Sequence, residues 1–226
     1  MTRARFKGAP ALHPSPPQPV FISFEGIDGS GKSTQVARLA AALRAAGRTV
    51  VLVREPGGTA LSESIRGLLL DPAAEIHPTT ELFLFTAARA QLVHTVLQPA
   101  LDAGSVVIAD RYADSTLAYQ GAGRGVCGVD ALRTIQACAT SGLQPDVTFL
   151  LDLPPEAAAA RRGDRGGGAD RMESADEAFY TRVRGAYLAL ARAEPDRVHT
   201  LDARRPEDEL ATGIAERLRL LSDASA

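Results

Sequence analysis

Gly26-Ile27-Asp28-Gly29-Ser30-Gly31-Lys32-Ser33 reads G-x-x-x-x-G-K-S and largely determines what this chain can fold into. An apolar run over residues 20–25 precedes it, and a helical pattern runs from residue 32 to about residue 46 before Gly47. Glycines in such a loop let backbone N–H groups converge on phosphate oxygens, and the start of the helix adds favourable partial charge. The strand–loop–helix context therefore predicts a P-loop that binds the phosphates of a nucleotide.

Lys32 is one of only two lysines among 25 basic residues, and the other, Lys7, lies near the N-terminus. A compact ammonium fits a loop that wraps a phosphate, whereas a guanidinium fork would crowd it. We expect Lys32 to neutralise the β- and γ-phosphates and Ser33 to hold Mg²⁺. A glycine-rich turn that binds nothing is the alternative, and the flanking strand and helix argue against it.

Composition excludes several classes of protein. A chain of 226 residues with a net charge of −2 predicts one α/β domain without a global field for nucleic acid or membrane. No apolar run approaches the ~20 residues of a membrane span. Cys127 and Cys138 lack a C-x-x-C spacing, which indicates free thiols and a reducing cytoplasm. We expect residues 1–19, rich in proline, to be a disordered leader before a single domain at 20–226.

Strand and helix patterns alternate along the chain, which is typical of a parallel sheet covered on both faces. Strands are predicted at 20–25, 49–53, 105–109, 146–151 and 198–201. Helices are predicted at 32–46, after Thr59 to about 70, at 79–103 with Thr79 or Thr80 as cap and a kink at Pro99, from 114, at 129–140, from 155, at 175–193 and from 206. The chain has no asparagine, hence no N-K-x-D motif of GTPases, and no L-S-G-G-Q motif. Small-molecule kinases remain.

Charged residues follow the predicted strands, where ligands of open α/β sheets bind. Arg54 follows the second strand and Arg111 the third, so both suit a second anion, although a buried Arg–Glu pair is the alternative. Asp28 would repel phosphate and suits a sugar hydroxyl or a magnesium shell, or else an Asx-type turn. Phe85 and Arg89 share one helix face and suit a flat base, although periodicity alone favours core for Phe85.

Taken together, the motifs resemble those of bacterial thymidylate kinases over roughly residues 20–203. The matching segments are F-E-G-I-D-G-S-G-K-S-T (24–34), R-E-P-G-G-T (54–59), L-F-T-A-A-R-A-Q-L (84–92), D-R-Y-A-D-S-T-L-A-Y-Q-G-x-G-R (110–124), P-D-V-T-F-L-L-D (145–152) and D-R-M-E (170–173). The resemblance implies a three-layer P-loop NTPase fold with a five-stranded parallel sheet. It implies transfer of the γ-phosphoryl group of MgATP to dTMP.

The resemblance also implies roles for individual residues. Phe85 stacks on thymine, Arg89 bonds its carbonyl edge, and Asp28 contacts the 3′-hydroxyl. Arg54 and Arg111 hold the acceptor phosphate, and Asp110 lies near Mg²⁺ through water. The nucleoside pocket is lined by Ser115, Thr116, Tyr119 and Gln120. The ATP loop comprises Gly26, Ile27, Asp28, Gly29, Ser30, Gly31, Lys32, Ser33 and Thr34.

Some members of that family place a catalytic arginine in the phosphate loop, whereas others supply arginines from a mobile lid. This chain has Gly29 in the loop and an Arg/Gly-rich segment at about residues 161–172, so it resembles the second type. The catalytic arginine is then Arg165, followed by Arg162 and Arg171, beside Lys32 and Arg111. Gly166, Gly167 and Gly168 depart from the usual lid pattern.

Because the acceptor is itself a phosphate that is mostly a dianion at neutral pH, no general base is required, and we expect no histidine or buried glutamate in that role. Family members form homodimers through helices on one face of the sheet, and the helix at 79–103 is a candidate contributor. Two rival functions remain: another nucleoside-monophosphate or deoxynucleoside kinase, and a non-catalytic P-loop nucleotide switch.

Overall fold

The computed structural model describes residues 19–163, 171–172 and 175–224, with side chains to residue 219. Within them, five parallel strands form one sheet in the order β2-β3-β1-β4-β5. The strands are β1 (Val20–Glu25), β2 (Val50–Arg54), β3 (Val106–Asp110), β4 (Val147–Asp152) and β5 (Val198–Asp202). Each lies within one residue of its prediction, which confirms the expected fold class. The proposed leader, except Pro19, lies outside the described residues.

Helices cover both faces of the sheet, as the alternating pattern predicts. They are α1 (Lys32–Ala45), α2 (Ala60–Leu70), α3 (Pro78–Leu92), α4 (Gln98–Asp102), α5 (Ala113–Thr116), α6 (Val129–Thr140), α7 (Pro155–Gly163), α8 (Glu177–Ala193) and α9 (Glu207–Ala224). Among the described helices, none is long and apolar enough to cross a membrane.

The predicted helix at 79–103 differs in the structure. It begins at Pro78, and His77 is its N-cap, with Nδ1 accepting a hydrogen bond from the Thr79 amide at 3.2 Å. Neither Thr79 nor Thr80 is the cap, because proline suits the first helical position, where no amide hydrogen is needed. The helix then widens into a π-helical segment, Val93–Leu97, before Pro99 in α4. Pro99 cannot donate to a carbonyl one turn earlier, so regular α-helical bonding is interrupted there.

Alternate residues of the strands build two apolar layers. Ile22, Phe24 and Phe149 contribute to the larger core, beneath α1 and α8. Phe21 and Val107 face the other layer, with Leu97 from the π-helical segment. Burial on both faces explains why the strands read as continuous apolar runs rather than as alternating patterns.

Parallel pairing sets the position of the site. Phe24 of β1 is in register with Asp110 of β3, and Asp110 is in register with Arg54 of β2. The segments that follow these strands therefore meet at one edge of the sheet. This edge carries the phosphate loop and both strand-end arginines, as expected for an open α/β sheet.

Candidate active site

A cavity of about 490 Å³ opens at the carboxyl edge of the sheet. Most of the predicted site residues line it, namely Asp28, Gly29, Gly31, Lys32, Ser33, Thr34, Arg54, Phe85, Arg89, Asp110, Arg111, Ser115, Thr116, Tyr119 and Gln120. Gly26, Ile27, Ser30 and Arg162 are not on its wall. Sequence reasoning missed five further wall residues, Glu55, Pro56, Arg66, Leu70 and Met172. The structure thus brings the predicted donor and acceptor residues around one cavity.

The phosphate loop depends on glycine at two close approaches. Gly26 has φ +135°, and a Cβ there would lie 2.5 Å from the carbonyl oxygen of Leu151. Gly29 has φ +90°, and a Cβ there would lie 2.7 Å from the carbonyl oxygen of Ala158. Positive φ and backbone contact each disfavour any side chain. The same contact with α7 gives a structural reason why this loop carries glycine rather than arginine at position 29.

Lys32 lies in the loop as predicted. Its Nζ donates hydrogen bonds to the carbonyl oxygens of Gly26 at 3.1 Å and Ile27 at 3.0 Å. Burial, and then the positive charge of Arg111, lower the pKa of Lys32 to about 8. Arg111 and Lys32 concentrate positive charge beside the loop, which suits a polyanionic ligand.

Ser33 and Asp110 face each other across the loop. The Ser33 hydroxyl donates a hydrogen bond to Asp110 Oδ2 at 2.7 Å. Among the described residues there is no cluster of three His, Cys, Asp or Glu side chains suited to a metal. Mg²⁺ prefers oxygen ligands, and with nucleotides it usually takes one or two from protein and others from phosphate and water. The Ser33–Asp110 pair fits a magnesium site of this kind, in which the nucleotide phosphates and water supply the remaining ligands.

Arg111 is the centre of the charge network, and its backbone is unusual. Its φ is +75°, a left-handed conformation that non-glycine residues adopt only where the surroundings enforce it. Arg111 Nη2 pairs with Asp28 Oδ1 at 2.7 Å, and Nη1 donates to the carbonyl oxygen of Gly26 at 2.9 Å. The guanidinium lies 4.9 Å from the ring centroid of Tyr119, whose hydroxyl donates to Asp28 Oδ2 at 3.1 Å.

Asp28 is therefore an acceptor for Arg111 and Tyr119 rather than an Asx-turn former. Burial by itself would raise the pKa of Asp28, but Arg111 and then Lys32 hold it well below its usual value. The carboxylate stays charged throughout the neutral range, so it can only accept hydrogen bonds there. A sugar hydroxyl is one donor that suits it.

Glu25 is a fully buried glutamate next to the site, and the expectation that no buried glutamate acts as a general base stays a prediction. Its side chain accepts hydrogen bonds from the Tyr112 amide at 2.7 Å, the Ser115 hydroxyl at 2.6 Å and the Tyr187 hydroxyl at 2.8 Å. Burial, and then the charge of Asp114, raise the pKa of Glu25 to about 7. Glu25 is fully buried and does not line the cavity. Its hydrogen bonds with Tyr112 and Ser115 hold the segment that follows β3 in place. The feature of the sequence that could have indicated Glu25 is its position at the end of β1, directly before the phosphate loop.

The buried Arg–Glu pair anticipated for Arg54 or Arg111 occurs instead at Arg89. Arg89 is 1% exposed and lies 2.6 Å from Glu55 Oε2. It also donates to Thr116 Oγ1 at 2.7 Å, to the Tyr112 carbonyl oxygen at 3.0 Å and to Gln136 Oε1. Its guanidinium is thus held rigidly at the cavity floor by protein acceptors.

Phe85 and Arg54 show contrasting environments. Phe85 is half-buried, packs against the apolar core and also lines the cavity, and its stacking on a base stays a prediction. Arg54 is exposed and pairs with Glu63 on α2 at 3.1 Å. A surface pair of this kind contributes little to stability, so Arg54 remains available to a ligand.

The Arg/Gly-rich segment is described only in part. Arg162 at the end of α7 donates to the carbonyl oxygen of Asp28 at 2.8 Å, and its guanidinium lies 4.7 Å from the ring centroid of Tyr180. Arg171 instead pairs with Glu81 at 2.7 Å. Arg165, the first-ranked catalytic arginine, lies outside the described residues. Of the two described lid candidates, Arg162 and Arg171, Arg162 is the one that contacts the phosphate loop.

Comparison with known proteins identifies the family of this chain. The family model of thymidylate kinase matches residues 24–214. A thymidylate kinase of Deinococcus radiodurans is 55% identical over 197 residues, covering 87% of this chain and 95% of that protein. One from Chlorobium chlorochromatii is 50% identical over 201 residues, covering 84% and 90%.

A solved structure adds the fold. The crystal structure of thymidylate kinase from Ehrlichia chaffeensis superposes with a TM-score of 0.68 at 36% identity, covering 82% of this chain and 93% of that one. Sequence similarity and fold thus agree, and the family model spans residues 24–214. The protein belongs to the thymidylate kinase family.

Proposed function

We propose that this protein transfers the γ-phosphoryl group of ATP to dTMP, giving dTDP and ADP for dTTP synthesis. The observation that carries the proposal is the contact between Asp28 of the phosphate loop and Arg111 after β3, at 2.7 Å. This pair joins a donor-phosphate loop to an acceptor cavity. A nucleotide switch would need only the loop.

On the donor side, the phosphate loop and Lys32 bind the β- and γ-phosphates. Lys32 lines the cavity, and its Nζ donates hydrogen bonds to the carbonyl oxygens of Gly26 and Ile27. Ser33 and Asp110 would hold Mg²⁺, which when bound neutralises charge on the transferring phosphates.

On the acceptor side, we assign the dTMP phosphate to Arg54 and Arg111 and the 3′-hydroxyl to Asp28. Phe85 offers a ring for the base, and Arg89 lies one helical turn further along the same face. Because the donors of Arg89 already meet protein acceptors, a thymine carbonyl would share or replace one of them. Ser115, Thr116, Tyr119 and Gln120 complete the wall around the nucleoside.

The chemistry requires charge neutralisation rather than proton removal. The acceptor phosphate has a second pKa near ~6, so it is mostly a dianion at neutral pH. Glu25 cannot act as its base, because it lies fully buried beneath the wall. Lys32, Arg111 and Arg162 instead place positive charge where two anions must approach in line. Arg165 remains a catalytic candidate from the sequence.

A homodimer in the cytoplasm is the proposed state of the protein. Three large apolar side chains are exposed on the neighbouring helices α2 and α3, namely Leu61, Leu68 and Phe83. A second copy of the chain would cover them. Cys127 and Cys138 are free thiols, which suits a reducing compartment.

The test is ADP production from MgATP with dTMP, dUMP, UMP, CMP, AMP or GMP, and with no acceptor. We expect rapid turnover with dTMP and slow turnover without an acceptor. Preference for another monophosphate would contradict the assignments of Phe85 and Arg89. Slow hydrolysis at the same rate with every acceptor and with none would favour a nucleotide switch.

A second test is the variant Arg111→Ala. We expect it to lower kcat/KM for dTMP by about 10², because a charge that stabilises the transition state is lost.

A further inference from the structure

Glu81 is a buried carboxylate that has no role in the chemistry above. It lies one helical turn before Phe85 and two before Arg89, so the three share one face of α3. Phe85 and Arg89 line the cavity, whereas Glu81 is 1% exposed and lies just beyond the wall. A buried carboxylate is costly unless charged or polar partners surround it.

Three side chains from two other parts of the chain surround Glu81. Its Oε1 accepts from Gln120 Nε2 at 3.0 Å and Arg124 Nε at 3.3 Å. Its Oε2 pairs with Arg171 Nη2 at 2.7 Å. Gln120 lines the cavity, and so does Met172, the neighbour of Arg171. The Glu81 carboxylate thus contacts two segments that line the cavity, one containing Gln120 and the other Arg171 and Met172.

The charges make this arrangement sensitive to loss of Glu81. Arg124 and Arg171 are 25% and 12% exposed, so both guanidinium groups are substantially withdrawn from water. Removing the carboxylate would leave two partly buried cations next to each other without their shared counter-charge. Such a loss is more disruptive than the loss of an exposed pair.

A chain of contacts leads from this cluster to the phosphate loop. The Tyr180 hydroxyl donates to the Met172 carbonyl oxygen at 3.3 Å. The Arg162 guanidinium lies 4.7 Å from the centroid of the Tyr180 ring. Arg162 Nη1 then donates to the carbonyl oxygen of Asp28 at 2.8 Å. Every link in this path joins described residues.

We propose that Glu81 is a positioning residue for phosphoryl transfer. It holds Gln120 at the acceptor wall and, through Arg171–Met172 and Tyr180, sets the orientation of Arg162 at the phosphate loop. Glu81 itself touches neither substrate. The inference rests on the proposed function, because it assigns Arg162 to the transferring phosphate.

The first test compares steady-state kinetics of Glu81→Gln with Glu75→Gln, which removes an exposed carboxylate just before α3. We expect Glu81→Gln to lower kcat for dTMP phosphorylation about tenfold, a typical size for coupling through a contact network. KM for ATP should change less than about twofold, since the loop contacts of Lys32 remain. Glu81→Asp keeps the charge and should recover most of the loss.

The second test is a double-mutant cycle with Arg162→Ala. If Glu81 acts through Arg162, Glu81→Gln should lower kcat less than about threefold in the Arg162→Ala background. The full tenfold loss in that background would overturn the proposal, as would kinetics of Glu81→Gln equal to those of Glu75→Gln. Thermal unfolding checks that each variant is folded. If Glu81→Gln is unfolded, Arg171→Gln, which breaks the Glu81–Arg171 pair from its other side, is carried through the same cycle with the same criteria.

The wild-type protein separates this inference from the proposed function. Absence of dTMP phosphorylation by the wild type would contradict the function itself. A wild type active on dTMP, together with an unaffected Glu81→Gln variant, would contradict only the role of Glu81.

Discussion

At the scale of single residues, the site is organised by charges that meet in a buried setting. Arg111 keeps Asp28 ionised and also lowers the pKa of Lys32. The left-handed backbone of Arg111 is held by its surroundings, because its amide donates to the Phe24 carbonyl oxygen at 3.0 Å and the next amide donates to Glu25. Strain of this kind is typical of functional sites. The site thus holds two cations, Lys32 and Arg111, next to the Asp28 carboxylate before any nucleotide binds.

Lys32 should make ATP binding depend on pH. With a pKa of about 8 in the free protein, the Lys32 ammonium is present below that pH and is lost as pH rises through it. ATP phosphates favour the charged form, so we expect Kd for ATP to be flat near pH 7 and to rise above pH 8. The limit is about tenfold per pH unit. Titration calorimetry between pH 7 and 9.5 measures it.

Lys32→Arg is the control for that experiment. Its guanidinium stays charged over the whole range, so its affinity for ATP should be weaker but independent of pH. The same rise in Kd for Lys32→Arg and the wild type would show that another group titrates.

At the scale of elements, the phosphate loop is shaped by its neighbours β4 and α7. The carbonyl oxygen of Leu151 leaves no space for a Cβ on Gly26, and that of Ala158 leaves none for a Cβ on Gly29. Neither contact can relax by rotation of a side chain, because both involve carbonyl oxygens of the main chain. The shape of the phosphate loop therefore depends on the packing of β4 and α7 against it, and not on the loop sequence alone.

Gly29→Ala tests this packing against Gly47→Ala, which has the same kind of backbone and open space around it. Gly47 has φ +80° with nothing within 4 Å, whereas a Cβ on Gly29 would lie 2.7 Å from Ala158 O. We expect Gly47→Ala to lower the free energy of unfolding by about 1 kcal/mol, from backbone strain alone. Gly29→Ala should cost at least about 1 kcal/mol more, and it should also weaken ATP binding.

Urea denaturation measures both losses, and ATP titration of the folded variants measures the second effect. Equal losses of stability in the two variants would mean that α7 moves away freely. The loop would then not owe its shape to that helix.

At the scale of the whole molecule, the sheet order brings distant segments to one edge, while α2 and α3 leave an apolar surface elsewhere. Leu61 and Leu68 lie two turns apart on α2 and are 53% and 58% exposed. Phe83 on α3 is 54% exposed. These exposed apolar side chains are the observation on which the proposed homodimer rests.

Leu68→Glu should convert the proposed homodimer to a monomer, because each protomer would bury a new carboxylate in an apolar interface. Ala215→Glu on α9 is the control, since it adds the same charge at an exposed position of another helix. Light scattering coupled to size-exclusion chromatography reports the mass of each. A wild type that is monomeric at micromolar concentration, or a dimeric Leu68→Glu, would contradict the proposed interface.

Short-range pattern alone determined the strands, most helices and the phosphate loop of this protein. Strand burial, helix periodicity and glycine spacing each act within a few residues, so they can be read directly from the chain. The π-helical segment at Val93–Leu97 was missed in part because a proline predicts interruption of a helix but not how the helix adapts. The site residues were located by motif, and their roles remain predictions.

Only the tertiary structure decided which charges pair. Arg89 meets Glu55 from 34 positions away, and Asp28 meets Arg111 across 83. Glu81 meets Arg171 from another segment entirely. Such pairs depend on the order of the strands and on how helices cross them, and the energetics of a buried charge depend on everything that excludes water around it. Local sequence therefore determined the elements and the phosphate loop, and packing determined the electrostatic partners around them.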